Sequence, residues 1–386
     1  MDPAIKLLRD LVAINSVNPT LVPGAPGERD VADAVAAAMR RIGLDVAVED
    51  AGGGRPNVVG VLEGRAKGPA LMFCGHTDTV GVAGMEDPFT PVERNGRIYG
   101  RGAQDMKSGV AAMIDAARVV AERGGLETGR LIVAAVVDEE HSSIGADALV
   151  KTWRADAAVV TEPTDLAIAI GHKGFAWIEV DVIGKAAHGS RPAEGVDAIM
   201  RLGRILTRLE ALDRDLQSRP PHPRMGTASL HASLVAGGHE LSSYPDHAKL
   251  TMERRTLPTE PAAAPIEEVQ TIIDRLARED PAFRATTALV FSRPAYEVAV
   301  DDPLPRLVAE SFSKTLQRET KIVGASFWTD AAVLGHAAIP SVLFGPGGAG
   351  LHSTEEYVNV EDVLACRDVL ADLTVRFSRS TKLRTR

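Results

Sequence analysis

The apolar run Leu71-Met-Phe-Cys74 ends in Gly75 and then presents His76 and Asp78. A short apolar run bounded in this way reads as a buried strand. Residues i and i+2 of an extended segment point to the same side, so His76 and Asp78 can meet as the strand runs out. A carboxylate behind an imidazole fixes its tautomer and makes the ring a better metal ligand. Taken alone, the pair reads more readily as a turn carrying a surface histidine and aspartate. What decides between these readings is the rest of the chain, which puts further ligand-type residues at the ends of other apolar runs.

Helical spacing is expected over 3–15, with Ile5, Leu8, Leu11 and Val12 on one side, and over 28–42, closed by Gly43. Strands are expected over 44–48, 57–62 and 70–74. A helix follows at 110–123, preceded by Gly100-Arg-Gly-Ala-Gln-Asp105-Met-Lys-Ser-Gly109. Those glycines fit neither nucleotide-loop pattern. Asp105 stands just before a helix start, where a carboxylate is favoured by the dipole and commonly caps. The apolar run 130–137 ends in Asp138-Glu139-Glu140-His141, and 157–160 ends in Thr161-Glu162-Pro-Thr164. Three carboxylates in a row at a strand end are electrostatically awkward without a nearby cation. Alternating helices and strands indicate an α/β fold with a largely parallel sheet, whose strand carboxyl ends collect ligands. His76, Glu139, Glu140 and Glu162 all fall at such ends.

The rhythm changes at 175–183, which alternates like a half-buried strand. A helix over 195–216, strands over 228–235 and 247–256, a helix over 266–277 and a strand over 286–291 follow. The order β-α-β-β-α-β is the ferredoxin-like split unit. The expected organisation is therefore a larger mixed-sheet domain, 1–173 and 294–386, with a smaller domain inserted at 174–293. After the insert the first rhythm returns, with helices at 303–316 and 360–377. Between them lie Asp330 within 326–334, a strand at 341–344, and His352.

Length and composition suit this plan: 386 residues, 45% hydrophobic and 25% charged, are enough for two domains with substantial cores. The net charge of −9 argues against nucleic acid or an anionic membrane as partner. No apolar run reaches the roughly 18 residues of a membrane span, and the amino end lacks a leader pattern. A cytoplasmic protein is expected, with the basic end from Arg376 to Arg386 a solvated tail. Cys74 and Cys366 read as buried apolar residues rather than a disulfide or ligands.

His76, Asp105, Glu139, Glu140, Glu162 and His352 thus fall outside the insert. Imidazoles and carboxylates without thiolates suit zinc, or cobalt or manganese. A carboxylate shared between two cations would relieve the charge crowding.

Gly75-His-Thr-Asp78, the segment from Gly100 to Lys107, Asp138-Glu-Glu140, Thr161-Glu-Pro-Thr164 and His352 together resemble the M20 metallopeptidase family over nearly the whole chain. Acetylornithine deacetylase, succinyl-diaminopimelate desuccinylase, aminoacylase-1 and carboxypeptidase G2 belong to it. The resemblance implies that His76, Asp105 and Glu162 hold one metal and that Asp105, Glu140 and His352 hold the other, with Asp105 bridging. It implies Asp78 as the support of His76, Glu139 as general base, and a cis peptide at Asp105–Met106. It further implies a lid-type insert through which the chain forms a homodimer, with His188 of Gly184-Lys-Ala-Ala-His-Gly-Ser190 reaching the active site of the other subunit. Arg255 matches an arginine that binds a substrate carboxylate, and Gly347 lies in a loop whose amides meet substrate. One departure concerns the lid pattern Gly-Gly-x-Ala-x-Asn-Val-Ile-Pro, which here reads Gly237-Gly-His-Glu-Leu-Ser-Ser-Tyr-Pro245, with Ser242 in place of the asparagine. The implied activity is metal-dependent cleavage of a linear amide in a small N-acyl amino acid or dipeptide, closest to acetylornithine deacetylation. Desuccinylase and carboxypeptidase or dipeptidase activities are the alternatives, and a non-catalytic metal-dependent binding protein is a remote one.

Overall fold

A computed structural model describes residues 1–82 and 84–380. The chain divides into two compact units. One comprises Met1–Gly171, Val298–Val323 and the described residues from Thr329 onward, and the other comprises His172–Glu297 with Gly324–Trp328.

In the larger unit a mixed sheet runs, in spatial order, through Asp45–Asp50, Pro56–Glu63, Thr128–Val136, Ala66–His76, Ala157–Val160, Ser341–Leu343 and Ile168–His172. The four strands from Thr128–Val136 to Ser341–Leu343 are mutually parallel. Their neighbours on both sides pair antiparallel. The parallel strands are apolar and fully buried along most of their length, as strands covered on both faces must be. Their carboxyl ends therefore share one rim. The strand expected over 70–74 is longer and carries Gly75 and His76 in register with Ala135 and Val136. His76 is thus held by the sheet itself rather than by a loop.

A small antiparallel sheet in the same unit pairs Tyr357–Asn359 with Arg97–Tyr99. It brings the residues after Tyr99 alongside those before Tyr357, although some 250 positions separate them in sequence. Several elements of this unit escaped the sequence pattern, among them the helix Ile144–Thr152 and the strand Ile168–His172. Both are short and lack a clean period. The first helix ends at Val12 rather than 15. The expected basic tail begins inside a helix: Arg376 and buried Phe377 close Val360–Ser378, while 381–386 lie outside the described residues. Among the described residues no helix is long and apolar enough to cross a membrane.

The smaller unit has the expected split order. Its sheet runs Ser229–Gly237, His247–Thr256, Gly174–Ile183, Arg284–Arg293, with every pair antiparallel. Ala198–Ser218 and Ala264–Glu279 cover one face, packing Leu202, Ile205, Leu209, Val269 and Ile273 against Ile178, Val180, Leu250 and Met252. The first of these helices starts three residues later than its pattern suggests, where the Asp197 carboxylate accepts the amide of Met200 at 2.9 Å.

Gly109 opens the helix Lys107–Glu122 against the end of the strand Ala157–Val160. A Cβ at 109 would run into the carbonyl oxygen of Thr161 and lie 2.8 Å from its hydroxyl. Gly109→Ala should therefore lower the urea-unfolding stability of the protein by about 1–3 kcal/mol. An unchanged midpoint and slope would contradict this close approach.

Candidate metal centre

Five chain segments bring titratable groups together at the rim of the larger unit. His76 ends its strand, and its Nδ1 lies 3.0 Å from the backbone carbonyl of Asp78. That bond puts the proton on Nδ1 and leaves the Nε2 lone pair for the site. The support expected from the Asp78 carboxylate is therefore supplied mainly by its main chain, since the carboxylate stands 3.6 Å away.

The fully buried Asp78 carboxylate serves a different segment. It accepts the amides of Glu139 and Glu140, both at 3.2 Å, and the Asn18 side-chain amide at 2.8 Å. The 138–142 segment is a turn, with Asp138 at φ 68°, and does not continue the strand. The turn is tied from below. Asp138 accepts Ser142 Oγ at 2.6 Å, Asn18 Nδ2 at 3.0 Å and Arg55 Nη1 at 2.6 Å. Arg55 in turn is paired with the buried Glu28. Asn18, Glu28 and Arg55 are site-building residues that no periodicity or spacing singled out, because they sit in a loop, at a helix start and in a glycine-rich turn.

Asp105 lies at the centre. Its Oδ1 is 3.1 Å from His76 Nε2 and its Oδ2 is 3.2 Å from His352 Nε2. It does not cap the following helix, whose N-cap is Met106 with no side-chain bond. The Asp105–Met106 peptide is cis. Glu140 Oε2 lies 3.1 Å from His352 Nε2, and Glu162 Oε1 lies 4.0 Å from His76 Nε2. Glu139 Oε2 is 3.8 Å from the same His76 nitrogen. Two groups of three emerge, His76–Asp105–Glu162 and Asp105–Glu140–His352, each with ligand atoms within 4.8 Å of one another.

The electrostatics are those of a site short of positive charge. Burial, and then the charge of Glu162, pushes the Glu139 carboxyl well above its ordinary range. Burial, reinforced by Asp105, raises Glu140 to about 7. Burial likewise raises Glu162 strongly. Hydrogen bonds to Asp105 and Glu140 lift His352 to about 10. For Asp105, burial is outweighed by the two histidines, which hold its carboxyl low. Glu140 Oε1 and Glu162 Oε1 are buried with no hydrogen-bond partner among the described residues. Orphaned carboxylate oxygens of this kind, beside two imidazoles, fit divalent cations taken as nitrogen–oxygen ligand sets.

The other residues singled out by sequence are distributed between the units. Gly347, in the larger unit, is hemmed in: a Cβ there would lie 2.6 Å from Asp165 Oδ1 and 2.7 Å from Asp362 Oδ2. In the smaller unit, Arg255 Nε donates to Glu253 at 2.6 Å, and its guanidinium stands 5.4 Å from the Phe175 ring centroid. Its neighbour Arg254 turns to the helix face, fully buried and bonded to Glu260 and Glu268. His188 is exposed, with Nδ1 2.7 Å from Ser190 Oγ, and Ser242 lies on an exposed loop.

Residues 72–376 match the model of peptidase family M20/M25/M40. The chain belongs to this family. It is accordingly a hydrolase of amide or peptide bonds. The M20 chain is 32% identical to an acetylornithine deacetylase of Myxococcus xanthus over 342 residues, 86% of each protein. Among solved structures it resembles a tripeptidase of Staphylococcus aureus, with a TM-score of 0.82 at 21% identity and 98% of both chains covered. A dinuclear metal-binding M20 peptidase of Bacillus subtilis superposes with a TM-score of 0.75 at 17% identity, over 97% of both chains. At these identities the structural likenesses speak for the fold.

Because His352 holds its proton up to about pH 10 when no cation is present, a cation must displace that proton to reach Nε2. Zinc added to the metal-free protein near pH ~7 should therefore release protons, and its apparent affinity should rise between about pH 6 and 9. Calorimetry in buffers of different ionisation heat checks this. Heats independent of the buffer would contradict the geometry.

Proposed function

We propose that this M20 chain hydrolyses the amide bond of a small N-acyl amino acid, with N-acetylornithine-like compounds as the leading substrate class. The observation that carries the reading is the Asp105 carboxylate, which offers one oxygen to His76 and the other to His352. That arrangement supports a pair of cations, zinc by the nitrogen–oxygen donor set, with Asp105 shared between them. His76 and Glu162 would complete one position, and Glu140 and His352 the other. Cations held there would supply Lewis acidity and stabilise negative charge developing on a carbonyl oxygen.

Glu139 is the residue placed to move the proton. Its carboxylate sits beside this cluster without belonging to either group of three. It takes a proton from the attacking water as the new C–O bond forms. It then gives that proton to the nitrogen as the C–N bond breaks. Burial favours the protonated form of Glu139, which helps it to hold the proton between the two steps. Asp78 fixes the backbone of Glu139 and Glu140, so that the two adjacent carboxylates keep separate tasks.

Arg255 is proposed to bind the carboxylate of the amino acid, since a guanidinium matches a carboxylate bidentately. Ser242 and the main chain at Gly347 would add substrate contacts. Two copies pairing through the smaller unit would let His188 of one donate to the oxyanion in the site of the other. The relative from Myxococcus xanthus, by its name, favours an acetyl group on ornithine.

A panel of N-acetyl and N-succinyl amino acids and dipeptides, assayed for free amine, tests the substrate class. Release of amine from none of them would end the proposal. Glu139→Ala should keep its cations by elemental analysis while turnover falls by about 10²–10⁴-fold. Full activity in that variant would remove Glu139 from the mechanism.

A further inference from the structure

Glu356 has no part in the chemistry described above, yet it is among the most heavily bonded side chains of the larger unit. It is fully buried. Its Oε1 accepts the amides of Gln104 at 2.8 Å and Asp105 at 3.0 Å. Its Oε2 accepts Arg101 Nη1 at 2.6 Å and the amide of Gly102 at 3.1 Å. Three backbone amides of the loop leading to the shared aspartate are thus gathered on one carboxylate.

Arg101 returns the contact. Its Nη2 donates to the carbonyl of Ser353 at 2.9 Å, the residue next to His352. The guanidinium is itself buried, at 2% exposure. The two segments are aligned by the small sheet, where Tyr99 pairs with Tyr357 and the amide of Gly100 donates to the carbonyl of Glu356 at 3.1 Å. Arg101 and Glu356 therefore form a reciprocal clasp. One side chain grips the backbone behind Asp105, and the other grips the backbone behind His352.

The two candidate cation positions depend on this clasp unequally. His76 is built into the sheet with its side chain 1% exposed, whereas the His352 side chain is 53% exposed in a loop. Glu162 stands two residues beyond the end of the strand Ala157–Val160. For the position His76–Asp105–Glu162, two of three ligands are fixed by parallel strands. For Asp105–Glu140–His352, two of three come from the clasped segments.

Resting on the metal-centre reading, we propose that Arg101 and Glu356 are positioning residues that set the cation affinity of the Asp105–Glu140–His352 position selectively. The carboxylate is needed for its four acceptor directions. In Glu356→Gln the shape is kept, but one oxygen becomes an NH₂ donor facing two donors. Either the Gln104 and Asp105 amides or the Arg101 and Gly102 groups lose their acceptor.

The test titrates zinc, and separately cobalt, into metal-free wild type and Glu356→Gln against a competing chelator, with the visible spectrum of the cobalt forms recorded. Wild type should take up two cations. Glu356→Gln should hold one with only a small loss of affinity, through the shared Asp105, and the other about 10–100-fold more weakly. Its turnover should recover when cation is added in excess, which a general loss of packing would not allow. Arg101→Lys, which keeps the charge but loses the fork to Ser353, should shift the same cation in the same direction. Equal weakening of both cations, unchanged binding of both, or lost turnover that excess cation does not restore overturns the proposal. So does failure of both variants to fold, which would assign the clasp to stability alone. Wild type that takes up no cation overturns the metal-centre reading instead, and this inference with it.

Discussion

Like charges crowded at one edge of a sheet are the constraint that shapes this protein. Asp105, Glu139, Glu140 and Glu162 converge within a few ångströms of two histidines, and Asp330 adds its field to Glu139 and Glu162. Burial penalises each of these ions, and each carboxylate penalises the next. The chain tolerates the arrangement because the backbone beneath is fixed from outside the cluster. Without that fixing, the simplest relief would be for the loops to move apart.

Two buried carboxylates provide much of it. Asp78 takes the amides of the turn that bears Glu139 and Glu140. Glu356 takes the amides of the loop that bears Asp105. Each places negative charge close to a site already rich in it, but its lone pairs are taken up by main-chain amides and one side-chain donor, so neither carboxylate is left unsatisfied. Further out, Lys107 donates to the carbonyls of Leu11 and Ile14, tying the end of the first helix to the same loop. Burial draws the Lys107 ammonium down to about 7.

How much of this could be read in advance varies with the kind of signal. Apolar runs ending in ligand-type residues pointed to the rim, because a buried parallel strand must be apolar and its polar residues can appear only where it ends. The split order of the smaller unit was legible for a similar reason, since Phe175 to Ile183 alternates as a strand with one covered face must. The supports of the site were not legible. Asn18, Arg55 and Glu356 act through bonds to residues far along the chain, and such pairings leave no local period. The turn at Asp138 was not legible either, because its positive φ is held by bonds to Ser142, Asn18 and Arg55 and no glycine marks it. His76 Nδ1 lies nearer the main-chain carbonyl of Asp78 than its carboxylate, a distinction that position in sequence does not make.

The strand Ser341–Leu343 lies between Ala157–Val160 and Ile168–His172 in the sheet. During synthesis, the strands on either side leave the ribosome long before the one that separates them. His76, Asp105 and Glu162 are all present by then, while His352 is not. The sheet therefore cannot be completed between these two strands until the whole smaller unit has been made, and until then their facing edges lack their native partner.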